Sequence, residues 1–139
     1  MSYIGKFHPL FVHFPIALVL GAAAAELVAI ATPRKAWRTV AVANIRAGAA
    51  MGVVTAITGW LFAASPLVDA SPSLEWHRWV GMAGAAGAIG AALLSLHLHV
   101  SSPRSGFVYR FTLFVTALLV AITGHLGGML VWGAGFFRR

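Results

Sequence analysis

The sequence predicts an all-α membrane protein folded as a compact four-transmembrane-helix bundle, and three observations carry that expectation. Of 139 residues, 60% are hydrophobic and only 9% are charged, about a third of the charged share usual in a soluble domain. The mean hydropathy is +0.86. Four apolar runs, at about 9–31, 47–64, 79–96 and 111–137, meet or approach the roughly 20 residues needed to cross a hydrocarbon layer about 30 Å thick.

The first run opens HPLFVHFP at 8–15. Pro9 suits a first helical turn, whereas Pro15 removes a bond to the carbonyl of Phe11, so a kink or late helix start is expected around His13. The run is too long for a cleavable signal and has no small-x-small site after it. Runs two and three carry AGAAMG at 47–52 and GMAGAAGAIGAA at 81–92. Such small residues let helix backbones approach closely in lipid, where no hydrophobic effect drives association. The connections are short and marked by Pro33, Pro66, Pro72 and Pro103. Residues 1–139 are therefore expected to form a single transmembrane domain.

Charge sets an orientation and excludes some partners. The formal charge is +7, but the basic residues lie between apolar runs rather than on a patch interleaved with exposed aromatics, which argues against nucleic acid. Arg34, Lys35, Arg38, Arg46, Arg104 and Arg110 flank loops one and three, whereas Lys6, Arg78, Arg138 and Arg139 lie on the other side. Loops one and three should face the cytoplasm, with both termini outward from a bacterial cytoplasmic (inner) membrane. Trp60, Trp76, Trp79 and Trp132 then gather at the outer interface as an aromatic belt. Glu26, near the inner end of the first helix, needs a partner, and Arg46 is expected to supply it.

A tandem duplication of a helical hairpin is suggested by AITGWL at 56–61 and AITGHL at 121–126, with His13 and His77, and Arg46 and Arg110, at nearly the same spacing. Parallel repeats of this kind are related by an axis along the membrane normal.

Cysteine is absent, which excludes thiolate metal sites and covalent c-type haem. Any metal or cofactor must be held mainly by histidine. His8, His13, His77 and His125 all belong to the outer half of the bundle. Counted at 1.5 Å per residue from the cytoplasmic boundary, His13 lies about 27 Å and His125 about 22 Å out, within one turn of the same level. His77 and His8 lie about 33–34 Å out. Each of His13, His77 and His125 sits beside small residues, as a porphyrin held between helices by two imidazoles requires. His13 and His125 are the expected axial pair to the metal, with His77 and His8 bordering the site. His97 and His99 read as interfacial residues at the other end.

The segments HPLFVHFPIAL at 8–18, EWHRW at 75–79 and TGHLGGMLVWGAG at 123–135 together resemble the bacterial membrane family known as domain of unknown function 2231. His8, Pro9, His13 and Pro15 match its first motif, and His125, Gly127 and Gly128 its last. The resemblance implies a four-helix module and, because some members are joined to Rieske-type or c-type cytochrome domains, proximity to membrane electron transfer.

The sequence thus points to a b-type haem-binding membrane subunit that relays electrons near the outer face, with haem b as cofactor. Its expected partners are the lipid bilayer and a redox protein or larger membrane complex, with quinone left open as a further partner at Trp76, Arg78 and Trp79. Two other readings stand beside it. One is a cofactor-free accessory or anchoring subunit, whose small-residue grooves are partner surfaces. The other is a copper or zinc site built from imidazoles. No nucleophile, base and acid come together in sequence, so a stand-alone enzyme is the least supported class.

Overall fold

The computed structural model describes residues 2–66, 68–97, 103–133 and 135. Its elements, all helical among the described residues, are α1 (Ser2–Gly5), α2 (His8–Phe11), α3 (His13–Ala31), α4 (Ala36–Ala63), α5 (Pro72–Leu96) and α6 (Pro103–Trp132). Four spans are long and apolar enough to cross a membrane, the first combining α1 to α3.

The first span is interrupted where its prolines require it. Proline lacks an N–H and cannot bond the carbonyl four residues back. Pro15 therefore leaves the Phe11 carbonyl unclaimed by its own helix. The Thr55 hydroxyl of α4 donates to that oxygen at 3.3 Å, and α3 begins afresh at His13.

Helix ends follow from local chemistry. Thr32 closes α3, its amide and its hydroxyl both donating to the Val28 carbonyl, at 2.9 and 2.8 Å, and Pro33 prevents continuation. Ser71 caps α5, its side chain accepting from the Leu74 amide at 3.2 Å, with Pro72 and Glu75 in the first turn. All three suit a helix N-terminus, whose amides lack partners and whose dipole favours negative charge.

Helices α4, α5 and α6 start earlier than the apolar runs at 47–64, 79–96 and 111–137, because the interfacial turns carry Arg, Asn or Trp yet remain helical. The helix beginning at Ala36, not Ala47, spans AWRTVAVANIR before its apolar stretch begins. At its far end α6 stops at Trp132 rather than at 137: Gly133 adopts φ 82°, the left-handed conformation that ends helices, and its amide donates to the Met129 carbonyl at 2.9 Å. Residues 136 and 137 lie outside those described.

The long helices form an antiparallel ring in which α3 packs on α4, α4 on α5, α5 on α6, and α6 back on α3. Small residues set the close approaches. A Cβ added at Gly48 would lie 3.0 Å from Val19, and one at Gly84 3.3 Å from Val120. At one end the core is filled by Val19, Ile45, Tyr109 and Leu113, all fully buried.

Glu26 is fully buried at this end as well. Its partners are Arg38 on α4, Nε 2.7 Å from Oε2, and Arg110 on α6, whose Nε donates to Oε1 at 3.0 Å. The expected pairing with Arg46 is therefore corrected. Since α4 extends back to Ala36, its first turn brings Arg38 level with Glu26, while Arg46, farther along, turns to α5 and donates from Nε to Ser95 Oγ at 2.9 Å. Arg46 and Arg110 still play parallel parts, each reaching from the second helix of one hairpin to the first helix of the other.

Candidate cofactor site

At the end of the bundle opposite Glu26 the helices enclose a cavity of about 860 Å³. Its floor is set by Val19, Ala88 and Val120, and its walls include Gly52, Gly84 and Gly124. The volume falls in the range of about 300–1,000 Å³ common for small-molecule and cofactor sites.

Two histidines face each other here. His8 on α2 and His77 on α5 have ring centres 6.4 Å apart and ring planes at 77°. Each is anchored on a helix carbonyl, and His8 Nδ1 also has the Thr58 hydroxyl at 3.5 Å. His8 Nδ1 lies 3.1 Å from the Thr55 carbonyl oxygen and His77 Nδ1 3.1 Å from that of Thr123. A carbonyl can only accept, so each Nδ1 donates to it, and in the neutral imidazole Nε2 is then the nitrogen with the bare lone pair. This is the arrangement that orients metal-bound histidines: one ring nitrogen donates to a backbone carbonyl and the other is left to the metal.

The carbonyls used belong to helix interiors, where each oxygen already accepts from the amide four residues on. At that fourth position stand Gly59 and Gly127. A Cβ on Gly59 would lie 2.9 Å from His8 Cε1, and one on Gly127 3.1 Å from His77 Cε1. Glycine is what lets each imidazole reach a second lone pair of the same oxygen. The recurring unit is thus Thr-x-x-x-Gly, at 55–59 and 123–127, receiving a histidine from the partner segment.

These pairs define the repeat differently from the expectation. His8 corresponds to His77 at a spacing of 69, and Thr55 and Gly59 to Thr123 and Gly127 at 68. The longer match between AITGWL and AITGHL lies one helical turn out of this register.

Of the four expected site residues, the structure brings together His8 and His77. His13 is exposed in the first turn of α3 and reaches the cavity wall, whereas His125 is exposed on α6 and is not among the residues lining the cavity. His97 sits at the opposite end as the C-cap of α5, its Nδ1 3.3 Å from the Leu93 carbonyl. His99 lies outside the described residues. Tryptophans cluster at the cavity end: Trp60 and Trp79 meet edge to face with centres 6.2 Å apart, and Trp76 is largely exposed.

The family model for DUF2231, described as a predicted membrane protein, matches residues 6–137. The chain belongs to this family. No curated protein matches it, and no solved structure does. The matched region takes in both halves of the cavity, from His8 and Thr55 to His77, Thr123 and Gly127.

Proposed function

We propose that this DUF2231 protein is a b-type haem-binding membrane subunit that relays electrons near one face of the membrane, and that His8 and His77, in preference to His13 and His125, would hold the haem. The observation that carries the reading is the neighbouring pair of imidazoles, ring centres 6.4 Å apart and each held by a backbone carbonyl through Nδ1, in the lining of a cavity of cofactor size. A metal-bound nitrogen sits about 2 Å from its metal, so two imidazoles on opposite sides of one metal have ring centres roughly 6 Å apart. The separation of 6.4 Å fits that spacing.

Thr55 and Thr123 hold the rings in one tautomer, Gly59 and Gly127 give them room, and the small residues of the walls leave space for a macrocycle. Bound haem would supply one-electron chemistry. A bare copper or zinc ion fits less well: among the described residues no three His, Asp or Glu side chains converge, and a closed zinc site takes four ligands. On this reading the redox partner, a protein or quinone, meets the protein at the tryptophan-lined end. The basic residues near Glu26 favour the inner side of a bacterial cytoplasmic membrane for that end, with the termini outward.

The test is an optical spectrum of protein purified from haem-sufficient cells. A low-spin reduced haem signal should be present in the wild type, lost in His8→Ala and His77→Ala, and retained in His13→Ala and His125→Ala. The reverse pattern would move the ligands to the latter pair, and a colourless, iron-free wild type would overturn the haem reading.

A further inference from the structure

Arg78 follows His77 on α5 and lines the same cavity. Its Nε is buried and has no hydrogen-bond partner among the described residues. The guanidinium carbon lies 3.7 Å from the centre of the Trp60 ring. One face of the cation is thus covered by an aromatic surface, while the buried Nε–H, which lies in the guanidinium plane, remains to be met.

The acids nearby do not meet them. Asp69 also lines the cavity and Glu75 lies one turn before Arg78, yet both are exposed. The ion pairs among the described residues are those of Glu26, at the opposite end of the bundle. A guanidinium stacked on tryptophan, partly withdrawn from water and without a counter-charge among the described residues, is matched to a planar anion that accepts two parallel N–H bonds, which is the geometry of a carboxylate.

We propose that Arg78 receives a carboxylate of the ligand occupying the cavity. Resting on the haem reading above, this group is a propionate. The ligand then lies with its apolar ring among Gly52, Gly84 and Gly124 and its acidic edge toward Trp60 and Trp79, where the bundle meets the interface. Arg78 is a binding residue that selects for the acid and sets which edge of the ring points outward.

The full-length protein, stripped of bound haem in detergent, is titrated with haemin and separately with haemin dimethyl ester, following the Soret band. Wild type should bind the free acid at least tenfold more tightly than the ester. Arg78→Gln should lose that preference while holding the ester as wild type does, and Arg78→Lys should recover part of it. Equal wild-type affinity for acid and ester overturns the proposal without any variant and leaves the haem reading standing. An Arg78→Gln protein that keeps the full preference overturns it too. If wild type binds neither compound, the haem reading fails and the assignment of Arg78 falls with it.

Discussion

Adding one methyl group to Gly59 tests the site at its tightest point. The new Cβ would stand 2.9 Å from His8 Cε1, against an optimal carbon–carbon separation of about 3.5–4.0 Å. The ring must recede by roughly 0.6 Å or more. Its 3.1 Å bond to the Thr55 carbonyl would then stretch to about 3.7 Å, beyond hydrogen-bonding distance. Losing that bond forfeits about 0.5–1.5 kcal/mol, and losing an orienting partner of a metal ligand typically weakens binding 10–100-fold. Alanine meanwhile favours the helix by about 1 kcal/mol over glycine. Gly59→Ala should therefore lower haem affinity by about tenfold or more while leaving thermal stability of the ligand-free protein unchanged or slightly raised. Gly127→Ala, with its contact at 3.1 Å, should do the same more mildly, and Gly128→Ala, whose Cβ meets nothing within 4 Å, should bind as wild type. Soret titrations and melting curves in detergent measure both quantities. Three variants with the same affinity as wild type would refute the argument that carbonyl-anchored imidazoles hold the ligand.

The charge cluster gives a second outcome. Glu26→Ala leaves Arg38 and Arg110 without their carboxylate, and because both arginines are about one-third exposed the loss should be about 1–3 kcal/mol, between exposed and buried pairs. Arg46→Ala should cost less than about 1 kcal/mol, since Ser95 keeps its bond to the Ala92 carbonyl; equal melting shifts for the two would contradict the pairing. Orientation is checked with reporters: phosphatase fused after Arg139 should be active and a cytoplasmic fluorescent protein fused there dark, and the opposite result would invert the bundle.

The four spans were readable because lipid demands about 20 apolar residues per crossing, a requirement that leaves a plain mark. Their ends were not. The turns from Ala36 to Arg46 carry Thr39, Asn44 and two arginines, which break the hydropathy signal without breaking the helix. That error also misassigned the partner of Glu26: with a helix begun at 47, Arg46 stands at its entry, the place that Arg38 takes in a helix begun at Ala36.

The candidate site was partly legible. The histidine pattern marks His8, His13, His77 and His125 as candidates, and the structure brings His8 and His77 together. Depth counted along straight helices favoured His13 and His125, but the interruption at Val12 sets His8 on a separate turn against α4. The acceptors were hidden for a different reason: a backbone carbonyl has no letter in the sequence. Its trace was the glycine four residues later, and Thr-x-x-x-Gly at 55–59 and 123–127 was overshadowed by the longer AITG match one turn away.

The packed plug at the Glu26 end bears on the energetics of any electron carried here. The cavity stops at Val19, Ala88 and Val120, and below it stand Ile45, Leu113 and Tyr109, fully buried. On the haem reading, a carrier seated above this plug, with its partners at the cavity end, would take and give electrons on a single side. With donor and acceptor both on that side, no charge would traverse the bilayer, and the membrane voltage, worth about 2.3 kcal/mol per elementary charge per 100 mV, would neither drive nor oppose the transfer. Such a relay would turn over at the same rate in energised and uncoupled membranes, and would leave the generation of proton-motive force to whatever partners it connects.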